Sequence, residues 1–184
     1  KVSVPVPQGE FVSPVERPWA DTPLTDKIDM LKAECEKLKT DDRIVDWSAY
    51  LVYTGTDQLY LTMDGGRVMQ RFQFIIPGIG VTANEGSETV SRNFGGFDLG
   101  RQGGMEVLDR IRYTEQSEEL TSEVLDLLTA PNCPSGTMDV LLDSTQMYLQ
   151  IHESIGHPLE LDRILGDERN YAGTTFVTLD MLGS

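Results

Sequence analysis

The sequence has no long apolar run and little positive charge. Its 184 residues are 39% hydrophobic, and no segment approaches the roughly 18 consecutive apolar residues that a membrane-spanning helix needs. Lys and Arg number 15 against 30 Asp and Glu, which gives a formal net charge of -15, and no basic cluster interrupts it. The negative electrostatic potential that this net charge produces repels nucleic-acid phosphates and acidic lipids. We therefore expect a soluble chain whose direct partners include neither a membrane nor a nucleic acid.

Cysteine and phosphate-binding motifs are also scarce. Cys35 and Cys133 lie far apart and form no CxxC pair, and the N-terminus shows no charged region followed by an apolar stretch, as a secretory signal would. A reducing, cytoplasmic location is the expectation. The glycine-rich stretch at 93–104 has neither a GxGxxG spacing nor a GK[ST] ending, so it predicts a loop and no phosphate cradle.

The patterns that are present predict an α+β fold. Prolines are frequent up to Pro23, so residues 1–21 are expected to form an extended arm or linker. A helix should follow, because apolar residues recur at 4-3-4-3 spacing and form one stripe. The residues of this stripe are Leu24, Ile28, Leu31, Cys35 and Leu38.

Alternation of apolar and polar residues next predicts an antiparallel β-meander. The expected strands lie at 45–53, 59–63 and 68–76, with tight turns at 54–57 and 64–66. Pro77 opens a segment, 77–80, that should reverse the chain into a fourth strand at 81–83. The preceding helix would cover one face of this sheet.

Two more helices and a domain boundary are expected further along the chain. Apolar spacing predicts helices at 105–112 and 117–130, and the loop 131–136, which contains two prolines, ends the second helix. We therefore predict a middle α+β domain at residues 22–130 and a further domain at residues 134–184.

The second domain is expected to open with a strand-helix unit. Residues 138–142 predict a buried strand, and residues 145–156 predict a helix with Asp143 or Ser144 as its N-cap.

Both histidines of the chain fall in or directly after this helix, five residues apart. They are His152 and His157, and Glu153 directly follows the first. Taken alone, a histidine at the edge of an apolar helix face is more often a packing residue than a ligand. The coincidence of two histidines with an adjacent carboxylate favours chemistry, because neutral imidazole suits zinc and a carboxylate beside the metal site suits general-base catalysis.

The spacing of the two histidines conflicts with a regular helix. At about 100° per residue, positions five apart lie about 140° apart around the axis, so they cannot both face one ion. A π-bulge or unwinding of the helix end would remove the conflict. Gly156 weakens the helix and Pro158 disfavours αR conformation at His157, so we expect the distortion between Ser154 and His157.

The stretch HESIGH is an HExxxH motif that follows a helix-meander module, and it resembles the TldD half of the TldD/PmbA (TldE) family of metallopeptidases. The likeness runs from about Pro23 to the end of the chain. It implies a cytoplasmic zinc peptidase acting on peptides or unfolded segments, as a homodimer or as a heterodimer with a PmbA/TldE-like subunit. By position, His152 and His157 match the zinc ligands and Glu153 matches the catalytic glutamate.

The third zinc ligand is not identified by the motif. The resemblance implies a cysteine far downstream, outside this chain, so residues 134–184 are expected to be the truncated start of a metallopeptidase catalytic domain. Within the chain, Cys133 is an alternative, because a six-residue strand and a 13-residue helix both span about 20 Å and could bring the helix end level with it. Glu160 and Asp162 are possible oxygen ligands, although a solvated acidic face explains them more simply.

A second function stays open at this point. The chain could be a non-catalytic interaction module, an acidic helix-meander domain that docks a partner subunit and uses its histidines for packing. Metal binding distinguishes this hypothesis from the peptidase.

Overall fold

The computed structural model describes residues 6–183 and divides the chain into two compact units, Lys1–Asn132 and Cys133–Ser184. The first five residues of the predicted arm lie outside the described part. Helices and a five-stranded sheet are both present. The fold is therefore α+β, as the sequence predicts.

The sheet of the first unit is built around one long central strand. The strands are β1 (Gln8–Val12), β2 (Ile44–Leu61), β3 (Arg67–Glu85), β4 (Glu88–Gly95) and β5 (Arg101–Gln102). One edge of β3 pairs antiparallel with β2, while β1, β5 and β4 pair in succession with its other edge. Only β1 runs parallel to β3 among these pairs of described strands. The predicted arm therefore contributes a strand to the sheet, which local composition could not show because its partner lies far along the chain.

Two of the predicted turns are wrong, because the strands run straight through them. β2 continues through 54–57 and β3 through 77–80, so four expected short strands are two long ones. The carbonyl of Pro77 points towards the β4 side, where it accepts a hydrogen bond from the Gly96 N–H at 2.7 Å. In a strand the nitrogen and carbonyl of one residue point to the same side, so the nitrogen of Pro77 also points towards β4. On that side β5 has ended and the register with β4 begins only at Gly78. The missing proline N–H therefore leaves no ladder hydrogen bond unmade.

The turn between β2 and β3 is the one that the sequence predicts at 64–66. Gly65 adopts a φ of 94°, which glycine tolerates, and the Thr62 N–H donates to the Gly66 carbonyl at 3.0 Å. The predicted loop at 93–104 is corrected in part, because the end of β4 and all of β5 lie within it.

Helices α1 (Leu24–Leu38), α2 (Glu106–Arg110) and α3 (Ser117–Thr129) complete the first unit, and α1 and α3 contact both the sheet and each other. The buried core residues are Leu38, Ile44, Ile75, Ile79, Val81, Ala83, Met105, Val107, Leu108, Tyr113, Leu120 and Val124. Complete burial of a large apolar side chain stabilises a fold by about 1.5–3 kcal/mol. All of these residues belong to the first unit.

Helix α1 confirms the predicted helix and buries Leu38 of the predicted stripe, but the buried face is rotated away from the start of that stripe. Leu24 and Ile28 of the predicted stripe are 68% and 41% exposed, whereas Lys27 and Glu34 are buried. The Lys27 ammonium reaches two backbone carbonyls, and Glu34 accepts a hydrogen bond from the Ser117 hydroxyl at 2.7 Å. Apolar spacing could not predict this face, because its polar members are buried only by virtue of partners elsewhere in the chain.

The second unit contains short helices. They are α4 (Ser144–Ile151), a π-helical turn (His152–Gly156), a 3-10 turn (His157–Leu159), α5 (Leu161–Leu165) and a second 3-10 turn (Leu179–Met181). Asp143 caps α4, since its carboxylate accepts a hydrogen bond from the Thr145 N–H at 2.9 Å. The strand predicted at 138–142 is wrong: within residues 6–183 no segment pairs with it, and a strand needs a neighbour to satisfy its backbone groups. None of the helices in the described range has the length and apolar character to cross a membrane.

Candidate metal centre

The two histidines meet because their helix changes its hydrogen-bonding pattern. α4 ends at Ile151, and in the π-helical turn that follows the His157 N–H donates to the carbonyl of His152, five residues back. Such a bond accommodates one extra residue in the turn, so residues five apart lie on nearly the same side. The two imidazole rings have centroids 4.2 Å apart and planes 70° apart. The predicted distortion is confirmed, and it takes the form of a π-turn rather than unwinding.

Pro158 gives a physical reason for the π-turn. It has no N–H to donate to the carbonyl of Ser154, four residues back, and its ring would collide with that carbonyl in a regular helix. Gly156 makes the departure easier, because glycine stabilises an α-helix poorly. His157 itself keeps αR angles, φ -61° and ψ -43°, so the expectation that Pro158 displaces it from that region is wrong. The conflict is relieved by shifting the hydrogen bonds of the preceding turn.

His152, Glu153 and His157 form a group that could hold a metal ion. One ligand atom from each residue lies within 4.8 Å of the other two. Two nitrogens bound to one tetrahedral zinc ion at ~2.1 Å are about 3.4 Å apart, so only a small adjustment of the rings is needed. Neutral imidazole nitrogen is a donor that zinc accepts. The two histidines therefore fit a zinc ion that takes its further ligands from elsewhere, with the Glu153 carboxylate close by.

The carboxylate of Glu153 lies beside the histidines without being bound to them. Its Oε2 is 3.9 Å from Nε2 of His157, which is too long for a hydrogen bond, and its side chain is 66% exposed. Within residues 6–183 the structure shows no hydrogen bond to this carboxylate. Glu153 is therefore available to accept a proton from a water molecule at the site.

Glu160 contacts the other ring nitrogen of His157. Its Oε1 is 2.8 Å from Nδ1 of His157, and its Oε2 accepts a hydrogen bond from Nε of Arg163 at 2.6 Å. The hydrogen bond from His157, with the further one from Arg163, holds the pKa of Glu160 below its ordinary value. Both oxygens are engaged, which argues against Glu160 as an oxygen ligand. The sequence did not identify this contact, although the three-residue spacing of the side chains on successive turns could have suggested it.

The other candidate ligands are less well placed. Cys133 is exposed, and its Sγ lies 3.9 Å from the carbonyl oxygen of Pro134. It belongs to neither of the two groups in residues 6–183 that could hold a metal ion. The second such group comprises Glu160, Asp162 and Glu168. It is the weaker candidate, because acidic clusters are common on an acidic surface and Glu160 already has partners.

Comparison with known proteins gives two distant relatives. No protein-family model and no solved structure matches this chain. A protein of Methanothermobacter thermautotrophicus named metalloprotease is 26% identical over 149 residues, which covers 81% of this chain and 32% of that protein. A protein of Archaeoglobus fulgidus, also named metalloprotease, is 28% identical over 161 residues, covering 86% of this chain and 35% of that protein. The chain thus spans about a third of the length of the curated relatives it matches. The similarity supports a relation to metalloproteases and does not test the TldD/PmbA resemblance.

Proposed function

We propose that the full-length protein is a zinc-dependent peptidase of the TldD type that hydrolyses peptides or unfolded polypeptide segments. The observation that carries this proposal is the π-turn, which brings the His152 and His157 rings together beside the carboxylate of Glu153. Pro158 accounts for the turn sterically, and the result of the turn is that two imidazoles and a carboxylate lie together at one place. The distant likeness to two proteins named metalloprotease supports the same class.

The chain's own residues would divide the work between holding the ion and moving a proton. His157 would bind through Nε2, because its Nδ1 is held by Glu160, and His152 would supply a second nitrogen. Bound there, zinc would supply a Lewis acid that polarises the scissile carbonyl and lowers the pKa of water towards about 7. Glu153 would accept the proton of the attacking water and deliver it to the leaving amine.

The remaining parts of the site would come from outside residues 1–184. The TldD resemblance implies a cysteine as the third protein ligand, and three protein ligands are usual in catalytic zinc sites. It also implies a dimer, formed either with a second copy or with a PmbA/TldE-like subunit. These features belong to the proposal for the whole protein.

The decisive variant is Glu153→Gln in the full-length, zinc-loaded protein. Loss of the general base should lower peptidase activity by about 10²–10⁴-fold. The zinc content should stay at about one ion per catalytic chain, because Glu153 is not proposed as a ligand. Asp162→Asn is the control for loss of a nearby carboxylate and should leave the activity close to that of the wild type. An active Glu153→Gln enzyme contradicts the proposed role.

The proposed ligands are tested by zinc analysis of the double variant His152→Ala/His157→Ala. Removal of both imidazoles should abolish stoichiometric zinc binding in the full-length protein, while circular dichroism should show that the fold is retained. If the double variant keeps its zinc, the metal site lies elsewhere and the proposal is wrong.

A further inference from the structure

A chain of three polar side chains extends from His157 away from the proposed metal position. Nδ1 of His157 is 2.8 Å from Oε1 of Glu160, and Oε2 of Glu160 accepts a hydrogen bond from Nε of Arg163 at 2.6 Å. Arg163 in turn donates through Nη1 to the carbonyl of Ala172 at 3.0 Å. Each carboxylate oxygen of Glu160 has its own partner, so two hydrogen bonds fix the orientation of the carboxylate.

The contact with Glu160 selects the tautomer of His157. An ionised carboxylate has no hydrogen to donate and acts only as an acceptor. Nδ1 must therefore carry the hydrogen of the bond, which in a neutral imidazole leaves the lone pair on Nε2. Nε2 is also the nitrogen that lies 3.9 Å from Glu153, on the side of the three-residue metal group. Nε2 of His157 thus lies on the side of the proposed metal position and carries the lone pair that a metal ion needs.

Arg163 fixes the position of Glu160. Its side chain is only 18% exposed, compared with 39% for Glu160, and its guanidinium is bound to the carboxylate and to the backbone at Ala172. The segment that contains Ala172 makes a second hydrogen bond close to His157, because the Thr175 hydroxyl donates to the carbonyl of Pro158 at 2.9 Å. The carboxylate therefore does not depend on a single flexible side chain for its placement.

We infer that Glu160 is a positioning residue for the metal centre, orienting the His157 ring and fixing its tautomer, with Arg163 as its anchor. The inference rests on the proposed zinc-binding function and concerns a residue that does not bind the ion. Metal-ligating histidines commonly donate their second N–H to a carboxylate, and loss of such a partner typically lowers metal affinity by about 10–100-fold.

Zinc affinity, measured by competition with a chelator in the full-length protein, is the first test. Glu160→Ala should weaken zinc binding by about 10–100-fold. Glu160→Gln should weaken it less, because the amide oxygen can still accept from Nδ1 although it cannot serve Arg163 as well. The matched controls are Glu168→Ala and Glu168→Gln, which remove a nearby carboxylate that does not contact either histidine. They should leave the affinity within about twofold of the wild type.

The tautomer of His157 is the second test, and a purely structural role for Glu160 would leave it unchanged. Long-range ¹H–¹⁵N spectra of the zinc-free protein at alkaline pH, with the resonance assigned by loss in His157→Ala, should show the Nδ1–H form in the wild type. Glu160→Ala should shift the ring towards the Nε2–H form, which is the commoner form in the absence of a partner at Nδ1. Glu160→Gln should retain the Nδ1–H form.

The outcomes separate this inference from the proposed function. If the wild type binds zinc through His152 and His157 but Glu160→Ala keeps both the wild-type affinity and the wild-type tautomer, the positioning role is overturned and the peptidase proposal stands. If the wild type binds no zinc, the proposed function fails, and with it the role of Glu160 in metal binding. Should Glu160→Ala not fold, Glu160→Gln decides, and an unchanged affinity together with an Nε2–H ring in that variant also overturns the inference.

Discussion

Glu106 lies buried, with only 4% of its surface exposed, and its carboxylate is held by backbone N–H groups. Gly104 donates to Oε1 at 2.8 Å and Arg17 donates to Oε2 at 2.9 Å. Burial alone would raise the pKa of Glu106, but these hydrogen bonds lower it to about 2. The side chain therefore joins the N-terminal segment to the start of α2 as a charged group.

We expect Glu106→Gln to lower the free energy of unfolding by about 1–3 kcal/mol at neutral pH, because glutamine accepts with one oxygen where the carboxylate uses two. The pKa of Glu106 is about 2 in the folded state and ordinarily 4.5. The charged carboxylate therefore stabilises the fold fully above pH 4.5, and this stabilisation is lost as the pH falls from 4.5 towards 2. Denaturant unfolding at neutral pH and at about pH 3 should therefore show a smaller loss for the variant than for the wild type. Glu36→Gln, on the exposed side of α1, is the control, and equal losses in wild type and Glu106→Gln would contradict the assignment.

The rarity of a residue type decides which site residues the sequence could reveal. His152, Glu153 and His157 could be proposed because the chain has only two histidines and their spacing with a glutamate is unusual. Glu160 was named only as a possible oxygen ligand. Its three-residue spacing from His157 is compatible with a contact, but among 30 acidic residues only the distance from Nδ1 identifies it as the partner.

At the scale of elements, the π-turn has a sharp test. Deletion of Ile155, combined with Pro158→Ala to remove the proline that opposes a regular helix, would leave the histidines four residues apart, and a regular α-helix then places them about 40° apart around its axis. The full-length deletion variant should bind zinc within about tenfold of the wild-type affinity, because the extra residue of the π-turn and the shorter spacing give similar geometry. Isothermal titration calorimetry measures this affinity.

The matched control inserts one alanine after Ile155, which rotates the second histidine by about a further 100°. This insertion should abolish the shared site. If the deletion removes zinc as completely as His152→Ala/His157→Ala does, the histidines are not aligned by the π-turn.

Element types followed from the sequence more closely than element ends. The helical period located α1 and α3, and the alternation of apolar with mostly polar residues located β2 and β3. Residues typical of turns at 54–57 and 77–80 did not interrupt the strands, because cross-strand pairing along the length of β3 outweighed the local preference. β1 was not predicted, since its short segment is specified by a partner strand and not by its own pattern.

At the scale of the whole molecule, the two compact units differ in how much they bury. The apolar core cluster lies entirely in Lys1–Asn132, whereas none of the described residues of Cys133–Ser184 is buried. Leu141, for example, is completely exposed, and Val140 is 71% exposed. Hydrophobic burial drives cooperative folding, so the first unit should carry the stability of the chain.

We therefore expect a chain that ends after Asn132 to unfold cooperatively, with a melting temperature within about 5 °C of that of the 184-residue chain. A peptide of residues 133–184 alone should show no cooperative transition, because it lacks a buried core. Thermal unfolding followed by near-ultraviolet circular dichroism checks both expectations. Loss of the transition in the 1–132 chain would show that its core is not self-sufficient.

The central claim is that the π-turn pairs His152 and His157 to bind a zinc ion beside Glu153. Anomalous scattering at the zinc absorption edge, from crystals of the zinc-loaded full-length protein, locates the ion directly. The account predicts a single strong peak per chain, about 2.1 Å from a ring nitrogen of His152 and from Nε2 of His157, with Glu153 outside the coordination sphere. A peak at the Glu160, Asp162 and Glu168 group instead, with both histidines unliganded, would contradict it.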